Sequence, residues 1–202
     1  MILALDTSTA ACTAALFDGE ECIGRRDEMI GRGHAERLVP MIAELLDGRR
    51  ADTILVGVGP GSFTGIRVGI AAAHGLAIGW DAEVGGMSSL ALLAAGAGGE
   101  GAVTAAVEGG HGELFVQQFN AATLEPLSPL LNLPPEAAAA ALPDAPAVGP
   151  GARRLVEARG SGHAIDAWPT AANALRLPER LRSLPPKPLY ARAPDARVRS
   201  AA

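Results

Sequence analysis

Residues 57–69 read GVGPGSFTGIRVG and follow an apolar run rich in β-branched residues. That run, residues 53–58, is too short for a helix and predicts a buried strand. The glycines and the proline then force a sharp turn, after which Ser62 or Thr64 can cap a helix that we expect over residues 66–78. A strand, a tight turn and a helix N-terminus bring free backbone N–H groups together, as in many phosphate sites. The same arrangement also builds an ordinary strand-to-helix crossover.

The turn lacks the features of two common nucleotide-binding loops. A P-loop needs a lysine directly after its last glycine, and the one lysine of the chain, Lys187, lies far from the turn. The G-x-G-x-x-G spacing of dinucleotide-binding folds is also absent, because Gly57, Gly59 and Gly61 run into Ser62. We therefore exclude a P-loop nucleoside triphosphatase. Two interpretations of the turn stay open, a structural or partner-contacting bracket and a direct anion site.

Composition sets the size class of the protein. The chain has 202 residues, 49% of them hydrophobic, which suffices for one large domain or two small lobes. No apolar run is long enough to predict a membrane span, and the N-terminal MILALD reads as a strand and not as a signal peptide. We therefore expect a cytoplasmic protein. Its net charge of −5 does not suit a protein that grips a nucleic-acid backbone alone.

The pattern along the chain predicts an α/β fold with a repeated opening. Strands are expected at 2–6, 10–17 and 21–28, followed by a helix over 34–47. A second strand pair, at 102–107 and 113–119, repeats the first hairpin, and the glycine-rich residues 96–101 mark the best boundary. We therefore divide the chain into an N-terminal lobe, 1–100, and a smaller, degenerate C-terminal lobe, 101–202, that ends in a basic, proline-rich tail.

The helix expected after the glycine turn is apolar on nearly all sides. Gly65, Gly69 and Ala73 recur every four residues and predict a thin, smooth face. A helix of this kind must be covered on several sides, and a domain of this size can cover two of them. The remaining side predicts a helix–helix contact with another chain, although a central core helix would give the same pattern.

Three stretches together resemble one protein family. They are ILALDTST at 2–9, GPGSFTGIRVG at 59–69 and GMSSL at 86–90. This combination is similar to the TsaB (YeaZ) family, a bacterial subunit of the machinery that makes threonylcarbamoyladenosine in tRNA. The helix over 34–47 and the stretch PLYARAP at 188–194 fit the same pattern. At the second hairpin the family usually has Asp-Ala-Arg, whereas this chain has EGG at 108–110, so a role for that arginine does not carry over.

The resemblance implies a two-lobed fold of the actin/hexokinase/Hsp70 type, built on ribonuclease-H-like lobes. It implies a subunit without catalytic residues of its own, which pairs with TsaD, the paralogous subunit that carries the metal and the active site. A small ATPase, TsaE, joins the pair, and tRNA is contacted only indirectly. The family's pairing surface, used with TsaD or in a homodimer, lies on the first two helices. The positions that this implies here are His34, Leu38, Met41, Ile42, Leu45, Phe63, Thr64, Arg67, Val68, Ile70, Ala71 and His74.

A strand-end carboxylate beside hydroxyl groups raises a second hypothesis. Asp6, Ser8 and Thr9 stand where actin-like kinases hold phosphate and Mg²⁺, and such a set suits a metal–phosphate complex. The same residues also form an ordinary Asx or Ser/Thr turn. The alternatives are therefore a structural turn and a vestigial nucleotide site, with ATP or ADP at a subunit junction as the cofactor left open. The alternative function is a small actin-fold, nucleotide-dependent phosphotransferase, for which Glu108 would be a weak catalytic carboxylate.

Metal and peptidase chemistry have little support in the sequence. The four histidines contain no H-x-x-x-H pair, so we expect no metal site. A G-x-S-x-G nucleophile elbow is missing as well, because the residues around Ser62 lack the flanking spacing. A peptidase is the least favoured of the three functions considered.

Overall fold

The computed structural model describes residues 1–189, which form two five-stranded mixed sheets. The strands of the first sheet are β1 (Ile2–Asp6), β2 (Ala11–Asp18), β3 (Glu21–Met29), β4 (Thr53–Gly57) and β5 (Glu83–Met87). Those of the second are β6 (Ala102–Glu108), β7 (Leu114–Asn120), β8 (Leu131–Leu133), β9 (Ala147–Val148) and β10 (Ala164–Ile165). The helices are α1 (His34–Leu46), α2 (Phe63–Trp80), α3 (Ser89–Ala97), α4 (Pro135–Ala141), α5 (Ala152–Arg159) and α6 (Glu179–Arg182). Two 3₁₀ helices, Gly110–Gly112 and Ala171–Arg176, complete the elements.

The two sheets share one topology. Their strand orders are β3-β2-β1-β4-β5 and β8-β7-β6-β9-β10, so each sheet places its first strand in the centre. In both, the first three strands pair antiparallel, while the first, fourth and fifth run parallel. This repeat confirms the predicted α/β class and the repeated hairpin opening. The sequence pattern missed β8 and β10, because strands of three and two residues carry no readable alternation.

Helices cover the outer faces of both sheets, and α3 lies between them. The apolar stripes of α1 and α2 pack on one face of the first sheet, and α4 and α5 cover the outer face of the second. Helix α3 has seven buried residues, 89–95, and shares one core with Phe17 of the first sheet and Phe119 of the second. Because α3 touches both sheets, it joins the two halves of the described chain.

The chain returns to the first sheet after β10. The backbone N–H of Ala171 donates to Thr13 Oγ1 over 2.9 Å, and Gly86 and Leu184 exchange two backbone hydrogen bonds. Pro178 separates the 3₁₀ helix Ala171–Arg176 from α6, because proline has no N–H and disfavours helical geometry in the residue before it. Residues 171–189, assigned above to the C-terminal lobe, thus pack against the first sheet, while the division at residue 100 stays a prediction. The basic tail and the PLYARAP stretch lie wholly or partly outside the described residues.

Helix α1 contains Pro40 in its interior. The helix was predicted over residues 34–47 and begins at His34, so the proline lies within it and not in its first turn. Pro40 and Glu36 both lie on the exposed side of the helix. The carbonyl of Glu36, which loses its usual N–H donor, is therefore open to solvent.

Candidate functional site

The glycine turn before α2 packs directly on the turn that follows β1. The backbone N–H of Ser62 donates to the carbonyl of Ser8 over 2.7 Å, and Thr7 Oγ1 donates to the carbonyl of Gly65 over 2.7 Å. Ser62 Oγ also accepts from the N–H of Gly65 at 3.2 Å, which confirms the predicted Ser62 cap of α2. Two turns that were read separately in the sequence therefore form one structural unit.

The glycines are required by this close approach. A Cβ on Gly57 would lie 1.9 Å from Asp6 Oδ2, and one on Gly65 would lie 2.0 Å from the carbonyl oxygen of Thr7. Both distances are far below van der Waals contact. The glycine-rich character of the turn thus follows from packing against residues 6–8, which favours the bracket interpretation over an open phosphate cradle.

Asp6 is completely buried, and both of its carboxylate oxygens are hydrogen-bonded within the chain. Oδ1 accepts from the backbone N–H and the hydroxyl of Ser8, at 2.8 and 2.7 Å, and Oδ2 accepts from Ser89 Oγ at 2.5 Å. Burial raises the pKa of the Asp6 carboxyl, while the hydrogen bonds from Ser89 and Ser8 act in the opposite direction. The bond from the Ser8 N–H confirms the Asx turn predicted as one alternative.

The predicted nucleotide-binding set is enclosed within the chain in this structure, and nucleotide binding itself stays a prediction. Asp6, Ser8 and Thr9 are all buried, and Thr9 Oγ1 accepts from the N–H of Ala11 at 3.2 Å. The Asp6 carboxylate and the hydroxyls of Ser8 and Thr9 thus all take part in hydrogen bonds within the chain. Local sequence could not reveal this, because the covering glycine turn lies more than fifty residues away along the chain.

Ser89 is a further member of this cluster, which was quoted above only as part of the GMSSL stretch. The capping is done by Ser88, whose Oγ accepts from the N–H of Ala91 at 3.2 Å. The neighbouring hydroxyl of Ser89 is left to donate to Asp6 and to accept from the N–H of Gly59 at 3.2 Å. The sequence signal for this role of Ser89 is the pair of serines that follows β5. One serine is enough to cap the helix, so the second is available for another contact.

Helix α2 exposes one continuous stripe, here called the α2 stripe and made up of Phe63, Arg67, Ala71, His74 and Ile78. These positions recur every three or four residues and therefore share one face. The side chain of Ile78 is 87% exposed and that of Phe63 56% exposed, which is unusual for such large apolar groups. Thr64 is exposed beside the stripe and Val68 is half-buried. Ile78 was not among the predicted contact residues.

Polar contacts frame the α2 stripe at both ends. The guanidinium carbon of Arg67 lies 3.7 Å from the centroid of the Phe63 ring, within cation–π range. Toward the other end, Nε2 of His74 lies 3.4 Å from the carbonyl oxygen of Pro186. The stripe thus combines an aromatic ring, a cation and exposed aliphatic groups.

Half of the predicted partner positions lie in the chain's own core, while the pairing surface as a whole stays a prediction. Leu38, Met41, Ile42 and Leu45 of α1 pack on the first sheet, as does Ile70 of α2. His34 is also buried, with Nε2 3.3 Å from the carbonyl oxygen of Ala11. The thin face of Gly65, Gly69 and Ala73 is turned inward too, because the helix must approach Thr7 closely there. An amphipathic stripe shows that a helix packs on something, but not whether that is its own sheet.

A cavity of about 410 Å³ lies at the carboxyl ends of β6, β9 and β10. Glu108, Arg153, Arg154 and Asp166 line it together with backbone near Gly149. Arg154 donates to the carbonyl of Gly112 over 2.8 Å, and its Nη1 lies 3.9 Å from Glu108 Oε1.

Within residues 1–189, no three His, Cys, Asp or Glu side chains are grouped so that they could hold a metal ion. Over the same range, no helix is both long enough and apolar enough to span a membrane.

Comparisons with known proteins point to one family. The family model described as "TsaD: tRNA N6-adenosine threonylcarbamoyltransferase" matches residues 26–126, half of the chain. YeaZ from Pseudomonas aeruginosa is 32% identical, with a TM-score of 0.80 over 94% of this chain and 98% of that one. A second solved structure, titled as similar to peptidase YEAZ from the same species, gives 32% identity, a TM-score of 0.81 and coverage of 95% and 99%. The two-lobed fold expected from the resemblance is thereby confirmed.

Curated relatives agree over a shorter stretch. The Escherichia coli protein named "tRNA threonylcarbamoyladenosine biosynthesis protein TsaB" is 36% identical over 126 residues, or 58% of this chain and 54% of that protein. The Haemophilus influenzae protein of the same name is 44% identical over 99 residues, or 46% and 41%. The matched region thus spans about half the length of these curated relatives.

Proposed function

Because the chain belongs to the TsaB/YeaZ family, we propose that it is a scaffold subunit in the formation of N6-threonylcarbamoyladenosine in tRNA. In this role it performs no transfer itself and pairs with a TsaD-like transferase. A TsaE-like ATPase then joins the pair, tRNA is met only through the partner, and the assembly works in the cytoplasm. The curated relatives carry this pathway in their names, and the family model that matches this chain is that of the transferase.

The observation that carries the proposal is the α2 stripe. Phe63 and Ile78 are large apolar residues that stay more than half exposed on a helix whose buried side packs on the first sheet, and exposed apolar groups that lie together mark interaction surfaces. Aromatic and arginine side chains are the groups that most often supply binding energy in protein interfaces. Phe63 and Arg67, already stacked, offer such an anchor at the start of the helix. The same surface would serve a homodimer when the transferase is absent.

The geometry around Asp6 favours the scaffold over the phosphotransferase alternative. A phosphotransferase needs a carboxylate that can reach Mg²⁺ or phosphate, whereas both Asp6 oxygens are already bound inside the chain. We place any ATP or ADP of the assembly at a junction between subunits. The isolated chain is therefore expected to bind no Mg²⁺-ATP in calorimetry, and binding that is lost in Asp6→Asn would favour the alternative.

A single added side chain tests the pairing surface. Ala71 lies in the middle of the α2 stripe and is exposed, so Ala71→Arg should leave the fold intact while a bulky cation blocks close helix contact. The matched control is Ala137→Arg, the same change on the exposed side of α4 in the second sheet's layer. Calorimetric titration with the TsaD-like subunit of the same organism should show binding for the wild type and Ala137→Arg only. Equal binding by Ala71→Arg would refute the proposed surface. Val68→Glu is a poorer test, because Val68 packs partly on the core.

The absence of independent catalysis is tested by reconstitution. The purified chain alone should leave tRNA unmodified, while adding the TsaD-like and TsaE-like proteins, with the substrates that make the threonylcarbamoyl donor, should give the modified base. Modification by the chain without the transferase would show that it is itself an enzyme.

A further inference from the structure

Three segments that are distant in sequence meet at the buried Asp6 carboxylate. They are the turn after β1, the glycine turn before α2, and the first residue of α3. Ser89 lies 83 positions from Asp6 along the chain, yet its hydroxyl donates to Asp6 Oδ2 over 2.5 Å. The carboxylate is therefore the point at which α3, the helix between the two sheets, touches the elements that start α2.

Ser89 holds the glycine turn by two separate bonds. Its Oγ accepts from the N–H of Gly59 at 3.2 Å, and its backbone N–H donates to the carbonyl of Gly59 over 3.0 Å. Gly59 has a φ of 100°, a conformation that glycine adopts without strain. Because the Ser89 hydroxyl donates to Asp6 and accepts from Gly59, its position is fixed from both sides.

The held turn leads directly into the α2 stripe. Ser62 is the N-cap of α2, and Phe63 is the first residue of the helix. The N–H of Ser62 is itself tied to the carbonyl of Ser8, the residue whose hydroxyl and N–H bind Asp6. Any shift of the turn therefore moves Phe63, and with it the Arg67 side chain stacked on the ring.

An apolar cluster could fill the same space without the cost of burying a carboxylate. Hydrogen bonds differ from apolar contacts in being directional, so a fully satisfied buried network fixes geometry more tightly than packing alone. Asp6, Ser8 and Ser89 form such a network, in which each carboxylate oxygen is matched by a donor. We interpret the free-energy cost of burying the Asp6 carboxylate as the requirement for fixing the position of the glycine turn.

We propose that Ser89 is a positioning residue, whose hydroxyl, bridging Asp6 and Gly59, fixes the start of α2 and so presents Phe63 and Arg67 in the orientation that the partner meets. The partner part of this statement rests on the function proposed above. The positioning part concerns the isolated chain. Because Ser89 belongs to α3, the packing of the helix between the two sheets is thereby linked to the outer surface of α2.

The test compares Ser89→Ala with Ser88→Ala. Both remove one hydroxyl at the start of α3, but the Ser88 hydroxyl caps the helix, whereas the Ser89 hydroxyl binds Asp6 and Gly59. Amide hydrogen exchange of the isolated chain should be at least about tenfold faster at Gly59, Ser62 and Gly65 in Ser89→Ala, with α1 and α4 unchanged. Ser88→Ala should speed exchange only in the first turn of α3. A uniform increase across the chain, or no local change in a folded Ser89→Ala, would overturn the proposal.

Partner affinity supplies the second measurement. Ser89→Ala should weaken binding of the TsaD-like subunit by about tenfold, while Ser88→Ala should bind within about twofold of the wild type. If the wild type itself does not bind the TsaD-like subunit, the proposed function fails. The amide hydrogen exchange of the isolated chain still tests the positioning role of Ser89 in that case. Faster turn exchange with unchanged affinity would overturn the link to the partner surface. If Ser89→Ala does not fold, Ser89→Cys, which is similar in size and a weaker donor, should show the same local exchange pattern to a smaller degree, and its absence would overturn the proposal.

Discussion

The guanidinium carbon of Arg67 lies 3.7 Å from the centroid of the Phe63 ring, on the face of α2 that the chain leaves exposed. In a surface setting this cation–π contact contributes only about 0.5–1 kcal/mol to folding. The same pair, covered by a partner, would form a pre-arranged aromatic and cationic anchor, since neither side chain needs to be ordered anew on binding. We therefore expect the Phe63–Arg67 pair to contribute more free energy to partner binding than to the folding of the free chain.

Removal of the Phe63 ring should weaken pairing with the TsaD-like subunit while leaving the free energy of unfolding nearly unchanged. Phe63→Ala should change the free energy of unfolding by no more than about 1 kcal/mol, because more than half of the ring is already in solvent. It should weaken binding of the TsaD-like subunit by about 2 kcal/mol or more, the range of an interface hot spot. Calorimetric titration together with urea unfolding measures both. Leu127→Ala, at a comparably exposed leucine of the second lobe, is the control, and a Phe63→Ala protein that binds as well as this control would remove Phe63 from the interface.

Two glycines of α2 should respond in opposite ways to the same substitution. A Cβ on Gly65 would lie 2.0 Å from the backbone carbonyl oxygen of Thr7, whereas one on Gly75 meets no atom within 4 Å. Gly65→Ala should therefore lower the free energy of unfolding by at least about 2 kcal/mol through overpacking. Gly75→Ala should raise it by about 0.5–1 kcal/mol through helix propensity. Urea unfolding of the two variants beside the wild type decides the point, and equal effects would contradict the close packing of the two turns.

The buried carboxyl of Asp6 should change how the free energy of unfolding depends on pH. Burial raises the pKa of Asp6 in the folded chain, so the folded state binds more protons than the unfolded state between the two pKa values. Asp6 therefore lowers stability as pH rises through this window, and the penalty is complete above the folded pKa. Asp6→Asn removes this contribution. The unfolding free energy of Asp6→Asn minus that of the wild type should thus become more positive as pH rises from about 4 to about 8.

Chemical denaturation of both proteins at several pH values measures this difference. Lowered pKa values at Glu28, Glu44 and Asp52 act in the opposite direction, because such groups add stability as pH rises. They are present in both proteins and cancel in the comparison. A difference that stays flat or falls with rising pH would show that the hydrogen bonds to Asp6 outweigh its burial.

Much of the fold could be predicted from local sequence. The strand–turn–helix order around residues 53–80 and the two hairpins follow from apolar runs, glycine turns and a serine cap, which are local signals. The contact of Ser89 with Asp6 could not be predicted in this way, because it joins residues 83 positions apart. Leu38 and Met41 show the other limit, since their spacing identifies an apolar stripe but does not say which surface covers it.

The most direct test of the central claim is a side-chain footprint of the paired state. Hydroxyl-radical labelling should be carried out on the chain alone and in complex with the TsaD-like subunit, with Phe63 and Ile78 as reporters of the α2 stripe and Leu127 as the exposed reference. We predict that labelling of Phe63 and Ile78 falls several-fold in the complex while Leu127 is unchanged. A complex that forms with Phe63 and Ile78 labelled as strongly as in the free chain would contradict the account, because the pairing surface would then lie elsewhere.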